Sequence, residues 1–152
     1  MSRVALLDVN LLVALFSPDH VHHEIAHDWF ADHRAEGWAT CPVTENGFVR
    51  VLAAIRDGAG PTPPAELVER LRQFCASGHH RFWPASLSLR DAKIFKPSFV
   101  HGHRQLTDVY LLGLAVTMGG CLATLDRAIP MSAVLGATRN TLMVVSPSQA
   151  DD

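Results

Sequence analysis

Short, mostly apolar runs recur along this chain with helix-patterned segments between them, and that alternation restricts the folds open to it. The runs are residues 4–7, 38–41, 81–83, 121–124 and 142–145. Between them, residues 11–16 and 20–34 read as helices, the second with Val21, Ile25 and Trp29 at spacing four on one face. Residues 43–56 carry Phe48, Val49, Leu52 and Ile55 as an apolar stripe, and Asp57-Gly58-Ala59-Gly60-Pro61 breaks the pattern. Thr62 can cap a further helix that starts with Pro63 and Pro64 and ends near Gly78. Residues 88–95 read as a short helix and 96–102 as a loop. Residues 106–118 are apolar on all sides, which marks a buried helix. Short apolar strands suit a parallel sheet covered on both faces. The expectation is an α/β fold with a mainly parallel five-stranded sheet and helices on either side. No internal repeat or boundary divides residues 1–146, and residues 147–152 read as a loose tail.

The 152 residues, 48% hydrophobic and 18% charged, suffice for one buried core. No apolar run approaches the ~20 residues that cross a bilayer. Met1-Ser2-Arg3 leads straight into a strand without a small-residue cleavage site, so no signal peptide is expected. Cys41, Cys75 and Cys121 are odd in number and far apart, which fits neither a disulfide framework nor a CxxC site. A cytoplasmic protein is the expectation. The net charge of -2 argues against a protein that coats nucleic acid indiscriminately, but the charge is uneven. Residues 92–107 hold no acid, yet include Lys93, Lys96, His101, His103 and Arg104, and lead directly into Asp108.

Four acids sit in stretches that otherwise resemble protein interior. Asp8 ends Val4-Ala5-Leu6-Leu7, and Asp126 closes Leu122-Ala123-Thr124-Leu125. Glu45 is the only charge between Glu36 and Arg50, and Asp108 the only one between Arg104 and Asp126. A carboxylate in an apolar setting is costly unless it is paired or binds a metal. Asp8, Glu45 and Asp126 lie at or just past strand ends, where open α/β sheets bind ligands. Oxygen donors favour Mg²⁺ or Mn²⁺, which assist phosphoryl chemistry. Aspartate after a strand is equally a turn residue or helix cap, and that alternative stays open for each acid alone. Asn10 and Thr124 are neutral companions suited to orienting a water or closing a turn.

The segments Leu7-Asp8-Val9-Asn10, Thr44-Glu45-Asn46-Gly47-Phe48-Val49-Arg50, Leu106-Thr107-Asp108-Val109-Tyr110-Leu111 and Ala123-Thr124-Leu125-Asp126-Arg127 resemble, in order, those of the PIN-domain ribonucleases. The resemblance is closest to the VapC-type toxins of bacterial toxin–antitoxin pairs. It implies a three-layer α/β/α domain, a homodimer, and Asp8, Glu45, Asp108 and Asp126 as acidic metal-binding residues. It further implies Mg²⁺- or Mn²⁺-dependent cleavage of RNA, of the tRNA or rRNA class, restrained by a VapB-type antitoxin. Arg50 matches an arginine usual in this group, and an ion pair near Glu45 explains it equally well. Lys93, Lys96 and Arg104 are candidates for contacts to the RNA backbone, which position without reading sequence.

A rival motif is His23-Glu24-Ile25-Ala26-His27, which matches the zinc-protease HExxH pattern, with His33 where an extended form needs a third ligand. Phe30 replaces the glycine that would turn the chain out of the helix. At about 100° per residue His33 falls roughly 80° from His23 and roughly 120° from His27 around the axis. An exposed face carrying His22, His23 and His27, open to a partner, is the preferred reading. A PIN-like module that binds RNA without cutting it, and a DxD phosphotransferase disfavoured by Asn10 in place of the second aspartate, complete the alternatives.

Overall fold

In the chain's order the elements are β1 (Ala5–Leu7), α1 (Val9–Phe16), α2 (His23–His33), β2 (Trp38–Thr40), α3 (Pro42–Ala54), β3 (Arg56–Asp57), β4 (Gly60–Pro61), α4 (Pro64–Cys75), β5 (His80–Phe82), α5 (Leu106–Thr117), β6 (Cys121–Thr124) and β7 (Leu142–Val144). This computed structural model describes residues 3–57 and 60–146, the side chain of Asp57 excepted. The expected tail at 147–152 lies outside the described residues, as do Gly58 and Ala59 of the expected break.

The five apolar runs form one sheet in the order β5-β2-β1-β6-β7, and every pairing within it is parallel. Side chains on a strand alternate between faces, and here each face has its own core. Ala5, Leu7, Trp38, Cys121 and Ala123 pack among α1, α2, α3 and α4. Leu6, Ala39 and Leu122 pack on the other side against α5 and the segment carrying Trp83, Phe95 and Val134. Each of Leu6, Leu7 and Leu122 is wholly buried, a gain of about 1.5–3 kcal/mol apiece. The result is the three-layer α/β/α arrangement.

The strand order has a consequence for ligands. The chain builds outward from β1 through β2 to β5, then returns to the opposite side of β1 for β6 and β7. Connections therefore leave β1 and β6 in diverging directions, and a crevice opens at their carboxyl ends. Asp8 follows β1 directly, and Asp126 follows β6 by two residues.

Several local expectations need correction. Residues 88–95 form turns instead of a helix. The Ser88 hydroxyl accepts from the Arg90 N–H and the Asp91 carboxylate from the Lys93 N–H, so side chains compete for the groups a helix would use. α2 starts at His23 and not at residue 20, because His20 Nδ1 takes the His22 N–H in a turn ahead of it. Val21 is consequently 84% exposed and no part of an apolar face. α1 begins at Val9, earlier than residue 11, because Asp8 caps it. Pro63, and not Thr62, occupies the cap of α4. Where only a break was expected after α3, Arg56 and Asp57 pair antiparallel with Pro61 and Gly60.

Gly120, entering β6, leaves the least room for a side chain among the described glycines. A Cβ there would sit 2.3 Å from the Val4 carbonyl oxygen and 2.7 Å from the Trp83 ring. Backbone cannot yield as a side-chain tip can. Gly120→Ala is expected to cost about 1–3 kcal/mol. Its Tm should fall by roughly 2–4 °C per kcal/mol, and an unchanged thermal midpoint would contradict this packing.

Candidate metal centre at the carboxyl edge of the sheet

Asp8 is only 3% exposed. Its backbone joins β1 to α1, with its N–H on the Ala123 carbonyl at 2.9 Å and its own carbonyl accepting from the Leu12 N–H. Oδ1 accepts the Val9 N–H at 2.7 Å, capping α1, and Oδ2 accepts the Thr124 hydroxyl at 2.7 Å. The cap and the functional reading thus coexist in one side chain. Both partners are neutral, so the charge is solvated but not cancelled. Burial raises the Asp8 carboxyl above its ordinary value, the Thr124 and Val9 hydrogen bonds pull it back, and the Asp126 charge pushes it up again.

Asp108 projects from the first turn of α5 and is half-buried. Burial, the charges of Asp8 and Asp126, and a hydrogen bond with Asp126 together push it up to about 7. Asp126 also closes a turn, its Oδ1 accepting from the Ala128 N–H at 2.8 Å. No surface helix begins there. Carboxyl groups from β1, α5 and the end of β6 therefore lie near enough for their charges to raise Asp8 and Asp108, though not as a threesome within 4.8 Å, and none has an ion-pair partner among the described residues. Among the described residues the ion pairs are Arg70–Glu66 and Arg72–Glu69, both within α4.

The two neutral companions tie this group together. Thr124 Oγ1 donates to Asp8 and accepts from the Asp126 N–H at 3.0 Å and from Asn10 Nδ2 at 3.3 Å. Asn10 Oδ1 in turn accepts the Leu125 N–H at 3.2 Å.

Glu45 stands apart. It lies in the first turn of α3, but its Oε2 accepts the Thr40 hydroxyl at 2.7 Å. One of its oxygens lies within 4.8 Å of donor atoms of Cys75 and His80. The ion pair that would have explained Arg50 beside Glu45 is absent among the described residues. Arg50, with His20 and Thr107, lines the open cleft over Asp8 and Asp108 instead. The sequence did not single out His20 or Thr107 as site residues, although Thr107 stands beside Asp108 in the apolar segment 106–118. Lys93, Lys96 and Arg104 are all exposed, in the connection between β5 and α5.

Residues 5–133 match the PIN domain profile. The chain belongs to the PIN-domain family. It is 42% identical over 138 residues to Ribonuclease VapC44 of Mycobacterium tuberculosis (strain ATCC 25618 / H37Rv), an alignment covering 91% of this chain and 96% of that protein. Ribonuclease VapC39 of the same strain is 40% identical over 132 residues, covering 87% and 95%. Ribonuclease VapC29 is 41% identical over 124 residues, covering 82% and 86%. Likeness at this level over nearly the whole length places this PIN domain in the VapC ribonuclease group.

The HExxH pattern does not build a site in the PIN domain. His23 Nδ1 contacts the Ala14 carbonyl at 2.7 Å and Glu24 is exposed. His33 contacts the Trp29 carbonyl and stacks on the Trp29 ring. Among the described residues, the donors that converge as a threesome are those of Glu45, Cys75 and His80.

The raised carboxyl of Asp108 carries a pH dependence of stability. The folded chain keeps a proton on Asp108 up to about 7, whereas the unfolded chain loses it near the ordinary value of 3.8. Between those limits the folded state binds more protons, so stability falls as pH rises through the window. Asp108→Asn removes that loss. In chelator, its Tm at about pH 8 should exceed the parent's, with a smaller drop from about pH 5. Parallel melting profiles for the two proteins would refute the assignment.

Proposed function

We propose that this PIN domain is a Mg²⁺- or Mn²⁺-dependent endoribonuclease, the toxin of a VapBC-type toxin–antitoxin pair, built on residues 1–146 as one domain. The observation that supports the metal requirement is that the charges of Asp8, Asp108 and Asp126 act on one another at one end of the sheet, with no ion-pair partner among the described residues. The donors are all carboxylate oxygens, which suits a hard divalent ion. Such an ion, when bound, supplies a Lewis acid that activates water and neutralises phosphate charge. In this reading Asp8, Glu45 and Asp108 hold the cation and Asp126 supports it.

The chain's own contribution is placement. Thr124 and Asn10 fix the Asp8 carboxylate relative to the Asp126 backbone, as outer partners of a metal site do. Ionisation of Asp108 gives up its proton when a cation takes its place, so assembly of the site favours neutral to alkaline pH. Lys93, Lys96 and Arg104 hold the phosphate backbone of an RNA of the tRNA or rRNA class, Arg50 lines the cleft beside it, and none of the four reads bases. A VapB-type antitoxin and a homodimer belong to this reading, and likeness to the VapC ribonucleases supports both. No helix among the described residues is long and apolar enough to cross a membrane.

The decisive experiment uses a structured RNA, protein stripped with chelator, and Mg²⁺ restored. Cleavage should return with the ion, and Asp8→Asn or Asp108→Asn should lower it by at least ~100-fold. Thr124→Val should lower it by about 10–100-fold through misplacement of Asp8. Full cleavage by the aspartate variants would sink the assignment, and binding of RNA without any cleavage under either ion would favour the non-cutting module.

A further inference from the structure

We propose that Glu45, Cys75 and His80 form a second cation site, for a zinc-class ion, at the junction of α3, α4 and β5. One donor atom from each of the three residues lies within 4.8 Å of the others. Ligands around a tetrahedral zinc ion stand about 3.3–3.6 Å apart, so side-chain adjustment of about 1 Å closes the set. Sulfur, imidazole nitrogen and carboxylate oxygen together select zinc over magnesium, which takes oxygen alone. All three residues are partly open to solvent, so an ion can enter and water can complete the coordination.

The fold brings these donors together by short routes. Cys75 is the last residue of α4 and His80 the first of β5. Between them Gly78 and His79 adopt positive φ, +115° and +66°, which turns the chain back within a few residues. β5 pairs in parallel with β2, His80 opposite Trp38, and the His80 ring packs on the Trp38 ring. Thr40, wholly buried at the end of β2, links the other two donors. Its hydroxyl donates to Glu45 Oε2 at 2.7 Å, so His80 Nε2, also at 2.7 Å, is the donor to it. A hydroxyl bridging two ligands orients them in the manner of an outer metal partner.

Burial holds the His80 imidazole below its ordinary value, more than the Glu45 carboxylate raises it. Burial and the Glu45 charge push the Cys75 thiol up to about 11. The thiol is therefore protonated until an ion binds, and binding releases its proton to the buffer.

Glu45 cannot serve two ions at once. Filling this site keeps it from turning to join Asp8 and Asp108, which makes zinc an inhibitor of the Mg²⁺-dependent reaction; this part rests on the function proposed above.

Cobalt(II) is the probe for the site itself. Titrated into reduced, chelator-stripped protein without a histidine tag, one equivalent should produce the thiolate-to-cobalt charge-transfer band in the near ultraviolet. The nine histidines of the chain can bind cobalt elsewhere, but they cannot produce that band. It should vanish in Cys75→Ser, shift to at least ~10-fold weaker cobalt binding in His80→Gln, and collapse when Zn²⁺ is added. Alkylation of Cys75 should be slowed by Zn²⁺ in the parent and not in His80→Gln, a readout that survives if Cys75→Ser does not fold. Absence of the band, or its persistence in folded Cys75→Ser, overturns the site. In the RNA assay, one equivalent of Zn²⁺ should slow the parent and spare Cys75→Ser. Equal slowing of both, or of neither, overturns the sharing of Glu45. Failure of the parent to cut RNA at all would count against the proposed function and leave the spectroscopic result standing.

Discussion

The hydroxyl of Thr124 is the interaction on which the rest of the acidic centre depends. One oxygen atom donates to Asp8 and accepts from Asn10 and the Asp126 backbone, so the ends of β1 and β6 are tied by a single group. Its position is set by the parallel pairing of Ala5, Leu6 and Leu7 with Cys121, Leu122 and Ala123. A slip of one residue in that register would turn Thr124 to the opposite face. The hydrophobic pattern that fixes the strands is thereby also the device that aligns the chemistry.

Much of this was legible in the sequence, for a definable reason. Apolar runs of three or four residues fit a sheet covered on both faces, and helix-patterned segments between them leave few topologies. Asp8 and Asp108 stood out because a charge within an apolar stretch demands an explanation. What was hidden depended on hydrogen bonds between side chains and backbone. The turns at 88–95 arise because Ser88 and Asp91 capture nearby N–H groups, and hydropathy carries no trace of that. Asp126 gave the weakest signal alone; its contact with Asp108 exists only through tertiary packing.

Glu45 shows the limit of pattern from another side. Its place in the first turn of α3 was evident, but the direction of its carboxylate is decided by Thr40, one strand away from Asp8. Cys75 and His80 looked unremarkable in the chain, since neither belongs to a paired cysteine or histidine motif. They matter because a tight turn with two positive φ angles folds the end of α4 against the start of β5. Oxygen donors lie toward the sheet's central crevice and mixed donors toward its β5 edge, on one scaffold.

Thr124 and Asp8 are separated by 116 positions in the chain. β1 therefore waits for most of the polypeptide to emerge before it meets β6, and long-range pairings of this kind form late. During synthesis the ribosome carries a segment with Asp8 and Glu45 in place long before Asp108 and Asp126 can arrive. The acidic centre is therefore completed only after α5 and β6 have emerged, and the order of strands in the sheet sets that delay.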